Sequence, residues 1–280
     1  HVGVVGFKPS WGAVPDSIGF PHAFNGLQVI APIARHVGDA ALLFEAIAGA
    51  DRRDPDSVAL AATDERVVRR PRIAYSPRLG LDVPVDADVE SAVHAAIARL
   101  QQAGFDIERA DPVWPAGVDE AALSPLQHVG LANLFGTAWR EDAARFDPDI
   151  SRQIERGMDW GGAQVAQARE AGRQIALTLA QFFTRFDFLV CPTTPCVAWP
   201  HDRLGPATIG GVAVEPRGHA VFTPFINHAM APAISLPCGT GRDGLPVGLQ
   251  LIAARGLDRT LLQVAAAIEQ ALQPLLPEKD

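Results

Sequence analysis

The sequence predicts an α/β fold, a mixed sheet covered by helices, and three observations carry that expectation. Short apolar runs alternate along the chain with longer segments whose apolar residues recur every three or four positions. Two runs near the C-terminus, Ala233 to Leu236 and Val247 to Ile252, are joined through a turn holding Asp243-Gly244, which reads as a hairpin and makes the sheet mixed. The 280 residues are 48% apolar and 20% charged, enough to bury a large core. Neither an internal repeat nor a dividing linker interrupts them, so one domain over 1–280 is expected.

Each element has its own local reason. Gly3 to Gly12 mixes glycines with Val4, Val5 and Phe7 before Pro9, which reads as backbone packed closely against another segment and then a turn. A helix from about 37 to 48 is expected from Ala40, Phe44 and Ile47 at helical spacing, with Asp39 in its first turn and Gly49 as its stop. Asp51 to Asp56 is polar and turn-rich, and Ile73 to Tyr75 after Pro71 makes a short strand. Val89, Val93, Ile97 and Leu100 give the inner face of a helix begun by Asp86 or Asp88 and ended by Gly104, with a short strand at Phe105 to Glu108. From Asp111 to Gly162 the prolines at 112, 115 and 125 and a weak apolar pattern predict short helices and loops. Val165, Ala168, Gly172, Ile175, Leu179, Phe182 and Phe186 then form one seam of a long helix. Phe188 to Cys191, closed by Pro192, reads as a buried strand, and the last helix buries Leu261, Ala265, Ile268 and Leu272 before Pro274.

Composition excludes several classes of function. The chain has no run of about 18 apolar residues and no signal-like start, so neither membrane insertion nor export is expected. The net charge of -8 is scattered and no basic stripe is present, which argues against nucleic acid as a partner. Cys191, Cys196 and Cys238 are odd in number and irregularly spaced, which fits a reducing cytoplasm rather than a disulfide framework. A start on His1 rather than Met leads us to expect a fragment.

Hydrolytic chemistry needs a nucleophile with a base beside it. The eight histidines contain no His-x-x-x-His or His-Glu pairing, so no metal site is expected. Cys191 and Cys196 flank Pro192-Thr193-Thr194-Pro195 without a second cysteine pair, which favours a structural loop over thiol or metal chemistry. Ser235 lies inside a predicted strand and not on a Gly-x-Ser-x-Gly elbow, so it reads as structural. Gly210-Gly211 and Gly239-x-Gly241 read as loop turns rather than phosphate cradles. The residues alone give an α/β domain with no self-sufficient active site and no cofactor.

Three N-terminal segments, Gly3-Val4-Val5-Gly6-Phe7-Lys8-Pro9-Ser10, Pro32-Ile33-Ala34-Arg35 and Asp39-Ala40-Ala41-Leu42-Leu43, resemble the end of the amidase signature and the stretch just after it. The likeness continues through Pro192-Thr193-Thr194-Pro195, Asn227 with Pro232 to Pro237, Asp243 to Gln250 and the closing helix. Residues 110–185 carry no motif of that family and are expected to be its variable, mainly helical region, where substrate pockets are shaped. The resemblance implies an α/β/α sandwich and amide hydrolysis or transfer by a serine nucleophile, a second serine in a cis peptide and a lysine base.

Those groups belong to the part of the family's sequence that precedes Gly3. Only Lys8 and Lys279 are present, Lys8 matching a structural turn, and no Ser-Ser or Ser-x-Ser pair occurs. No catalytic residue is therefore carried over, and the catalytic groups are expected upstream of His1. Thr193, Thr194 and Asn227 are the candidate substrate-binding residues, able to donate and accept hydrogen bonds to a small-molecule amide. Ala13, Gln28, Ala31 and Met230 depart from the family's usual Arg, Asp, Gly and Gly; Met230 is expected to narrow the pocket or shift the backbone. Part of an amidotransferase assembly, a non-catalytic amidase-like binding protein and a cysteine hydrolase are the other readings, and a homodimer is an open option.

Overall fold

The computed structural model describes residues 1–16, 24, 26–241 and 243–273. His22, Pro274 and Lys279 lie outside the described residues, so the helix stop at Pro274 does too. In chain order the elements begin with β1 (Val5–Lys8), β2 (Ile33–Ala34), α1 (Val37–Ile47), α2 (Glu65–Arg69), β3 (Arg72–Tyr75), α3 (Ala87–Gln102) and β4 (Asp106–Arg109). Three helices come next, α4 (Glu120–Glu141), α5 (Pro148–Asp159) and α6 (Gly162–Phe182), before β5 (Phe188–Pro192). The chain continues through β6 (Thr208–Ile209), β7 (Val212–Ala213), α7 (Pro224–His228), β8 (Ala233–Thr240), β9 (Pro246–Ala253) and α8 (Asp258–Leu272).

Seven strands form one sheet in the order β2-β1-β8-β9-β5-β3-β4. β1 and β9 run against the other five, so the sheet is mixed, as expected. Register assigns the faces. Phe7 lies opposite Ile234, and Ile234 and Leu236 lie opposite Leu251 and Leu249. These residues point to the side of α1, where the rings of Phe7 and Phe44 meet edge to face at 5.1 Å. The alternate residues Gly6, Ser235, Gln250 and Cys191 form a row across the opposite face.

The connections explain how both faces are covered. β3 passes through α3 to parallel β4 on one side, and β4 returns through α4, α5 and α6 to parallel β5 on the other side of β3. Right-handed crossovers running in opposite directions place their helices on opposite faces of a sheet. One core joins the layers, from Val93 and Leu261 through Val190 and Leu251 to Ile175 and Leu179.

Two expectations are corrected. Residues 111–162 are not short helices and loops: α4 is a helix of 22 residues that contains Pro125, followed by α5. Pro125 is the sixth residue of α4, and the carbonyl of Ala121, which its missing N–H would have bonded, accepts instead from the Ser124 hydroxyl at 2.9 Å. The apolar signal is weak because α4 packs closely on α5 through a small residue. At Gly157 a methyl group would collide with the carbonyl oxygen of His128. This pair encloses its own small cluster, Leu131 and Ile154 with Leu134, Trp139 and Met158 packed around them. The second correction is Gly239, which lies within β8 at a register shift and not in a loop. Gly210-Gly211, by contrast, is the two-residue turn of the β6-β7 hairpin, both glycines having positive φ.

Candidate active site

β5 is buried along its whole length and delivers Thr193 to the carboxyl end of this central strand. The Thr193 N–H donates to the carbonyl of Gly248 at 2.8 Å. Its hydroxyl meets that of Ser235 at 2.7 Å. Gly248 is required between them, since a methyl group there would stand 2.8 Å from Thr193 Oγ1 and 3.0 Å from Ser235 Oγ. Both threonines and Ser235 are only half-buried, so the hydroxyls lie at an accessible part of the polar face.

The loop after Thr193 is held by its own residues. The Thr194 hydroxyl donates to the carbonyl of Cys196 at 2.9 Å. The Asp86 N–H donates to the carbonyl of Pro195 at 2.8 Å, and Pro192 and Pro195 fix the backbone on either side. His1 packs near this loop. Its ring is 5.2 Å from that of Trp199 and 6.3 Å from that of His219. Burial pulls the His1 amino group below its ordinary pKa, with a smaller opposing effect from nearby Cys196.

Asn227 sits half-buried on the short α7, anchored by the buried Phe225 and Ile226. Its backbone carbonyl accepts from the Met230 N–H at 2.9 Å, closing the turn after the helix. Met230 has φ +56, so the backbone keeps the left-handed conformation a glycine would adopt instead of shifting to relieve the side chain. The Met230 carbonyl accepts from the Trp11 N–H at 3.2 Å, tying α7 to the turn after β1. Thr193, Thr194 and Ser235 are thus gathered at one place. No hydrogen bond among the described residues joins Asn227 to them.

The neighbouring titratable groups are held neutral or occupied. Burial pushes the Cys191 thiol up to about 12 and Cys196 up to about 11, so neither is a thiolate nucleophile at neutral pH. That removes the physical basis for a cysteine hydrolase. Burial pulls Lys8 down to about 8, opposed by Asp258, and its Nζ donates to the carbonyl of Pro9 at 2.8 Å. Asp258 in turn accepts from the Ser10 N–H and hydroxyl, each at 2.7 Å, locking the end of β1 to the start of α8. The arrangement can hold an amide between hydroxyl donors and acceptors. Among the described residues no group of three His, Cys, Asp or Glu side chains could hold a metal, and no helix is long and apolar enough to cross a membrane.

Sequence reasoning passed over Ser235 and Gly248. The signal was present in the alternation of β8, where Ser235 and Pro237 fall on the face opposite Ile234 and Leu236.

A mixed sheet covered by helices, with a hydroxyl cluster on its half-open polar face, defines an α/β enzyme scaffold. The chain belongs to the amidase family: the family model described as Amidase matches residues 1–262. An acylamidase of Rhodococcus erythropolis is 31% identical over 284 residues, which cover 99% of this chain and 59% of that protein. The A subunit of the glutamyl-tRNA(Gln) amidotransferase from a Picosynechococcus species is 30% identical over 299 residues, covering 96% of this chain and 60% of the relative. Among solved structures, a bacterial aryl acylamidase of the amidase signature family superposes with a TM-score of 0.84 at 26% identity, over 96% of this chain and 58% of that one. The chain therefore spans about 60% of the length of the curated relatives it matches.

Proposed function

We propose that this chain is the C-terminal part of an enzyme that hydrolyses a carboxylic amide to an acid and ammonia or an amine. In this reading the serine nucleophile, the bridging serine and the lysine base precede His1, and these 280 residues supply the floor and one wall of the site. The observation that carries it is the Thr193–Ser235 hydroxyl pair at 2.7 Å. It lies on the half-open face at the end of the sheet from which β1 leads back to His1, so a nucleophile a few residues before His1 would emerge beside it. Thr193 and Thr194 would contact the amide, and Asn227 would border the pocket from α7. Residues 110–185, which form α4, α5 and the whole of α6, would shape specificity within one domain.

The similarity to amidotransferase A subunits favours a second reading of the same site, in which the released ammonia passes to a partner enzyme. Hydrolysis of simple aryl and aliphatic amides by protein that includes the residues before His1 separates the two, because a transferring enzyme would need its partners for full turnover. Protein limited to these 280 residues is expected to be inactive on the same amides. Turnover by such material, free of longer enzyme, would overturn the placement of the catalytic groups.

A further inference from the structure

We propose that the cleft at the carboxyl ends of β3 and β4 is a second binding site, for a small zwitterion such as a free amino acid or short peptide. The cleft is open to solvent and has a volume of about 790 Å³. That volume is in the range of small-molecule pockets. It lies where loops leave the carboxyl ends of two parallel strands, next to the point between β3 and β5 where the strand order reverses. Thr193, Thr194, Ser235 and Asn227 are not among its lining residues, so it is independent of the amide site.

The walls are built rather than incidental. The Ser76 hydroxyl, fully buried, donates to Asp111 at 2.5 Å. The Trp114 indole N–H donates to the carbonyl of Leu79 at 2.6 Å. At Gly80 a methyl group would collide with the carbonyl oxygen of Pro112, so the two loops touch backbone to backbone. Leu79 is held at φ +54 with its side chain fully buried. A non-glycine residue in the left-handed region is strained and persists only where its surroundings impose it.

The charges select the ligand. Arg78 is already paired with Glu90 at 3.0 Å. One oxygen of Asp111 is taken by Ser76. Arg109 and Asp82 line the same cleft as exposed residues, and neither side chain makes an ion pair or hydrogen bond among the described residues. A free cation and two carboxylates with uncommitted oxygens, Asp82 and Asp111, share the cleft with the indole of Trp114 and match a ligand carrying a carboxylate, an ammonium and an apolar body. A dianion would meet Asp82 and a simple cation would meet Arg109, so each single-charge ligand is opposed by one of the two.

Calorimetric titration of the full chain with L-leucine tests this, using isocaproate and isoamylamine as ligands that keep one charge each. Saturable binding of leucine at about 1 mM or tighter is expected, weakened about tenfold in both Arg109→Gln and Asp82→Asn. Each single-charge ligand should bind about tenfold more weakly than leucine to the unaltered chain. Absence of saturation up to about 20 mM leucine, equal binding of either control, or either variant binding leucine as tightly as the parent would each overturn the proposal. The controls need no variant, so the test stands even if a substitution disturbs folding.

Discussion

Thr193 and Ser235 stand 42 residues apart in the chain, yet their hydroxyls share a 2.7 Å hydrogen bond beside the Cα of Gly248. The three positions come from three adjacent strands or their ends, so the contact reports on the register of the whole centre of the sheet. Gly248→Ala places a methyl group against both hydroxyls. We expect a loss of about 1–3 kcal/mol from overpacking. Ser235→Ala, which removes one partner without crowding the other, should cost only about 1 kcal/mol. Urea denaturation of both variants checks the order, and a Gly248→Ala protein as stable as the parent would refute this account of the contact.

Met230 occupies left-handed backbone at φ +56. Met230→Gly removes a conformational cost of about 1–2 kcal/mol, offset by the greater freedom of glycine in the unfolded chain, roughly 0.4–1 kcal/mol. A net gain of about 0.5–1 kcal/mol in unfolding free energy, read from urea denaturation, is expected from that difference. A fall in stability instead would mean that the side chain contributes more packing than its partial exposure indicates.

The acid limb of stability should carry a contribution from His228. Burial pulls its imidazole down to about 4 from 6.5, so the folded protein resists a proton that the unfolded chain accepts. The unfolded state therefore binds more protons between those two values, and stability falls as pH drops from about 6.5 towards 4. Above that window the group contributes no pH dependence. Proton NMR of the His228 ring reads the midpoint directly, and titration near 6.5 in the folded protein would contradict it.

Gly157 allows α5 to lie directly on the backbone of α4 at His128. Gly157→Ala should separate the helices and destabilise this pair by about 1–3 kcal/mol. Because the pair closes around a small cluster of its own, hydrogen exchange should quicken in α4 and α5 while β5, β8 and β9 keep their protection. Uniform loss of protection across the sheet would show that the pair is not a separate unit.

What could be read from the sequence depends on how one-sided each element is. The seam of Ala168, Gly172, Ile175 and Leu179 faces one buried side and α6 forms over Gly162–Phe182, but Phe186, read as part of the same seam, lies past the helix end in the turn before β5. β5 and the β8-β9 hairpin were equally legible, since continuous burial leaves a continuous apolar run and Asp243-Gly244 marks the turn. α4 was not, because contacts with α5 and α6 on different sides spread its buried positions around the helix, and small residues make part of the contact. The short strand β1 was read only as tightly packed backbone: four residues containing a glycine become a strand through their pairing with β2 and β8. At the candidate site Thr193 and Thr194 were reached only through the resemblance of Pro192-Thr193-Thr194-Pro195 to the amidase family. The partner of Thr193 could not be found, since no local signal says which serine a distant hydroxyl will meet.

The register of β1 on β8 pairs Gly6 with Ser235, so β1 waits for a strand made more than two hundred residues later. During synthesis at about 5–20 residues per second, the edge that β8 will cover stands open for roughly ten to fifty seconds before β8 leaves the ribosome, whereas β2 can pair the other edge early. β3 and β4, joined by the single helix α3, can assemble long before. The nascent polypeptide is therefore most vulnerable to wrong pairing at β1, and shielding of that segment by a chaperone would protect the yield of native protein more than any stabilisation of the finished sheet.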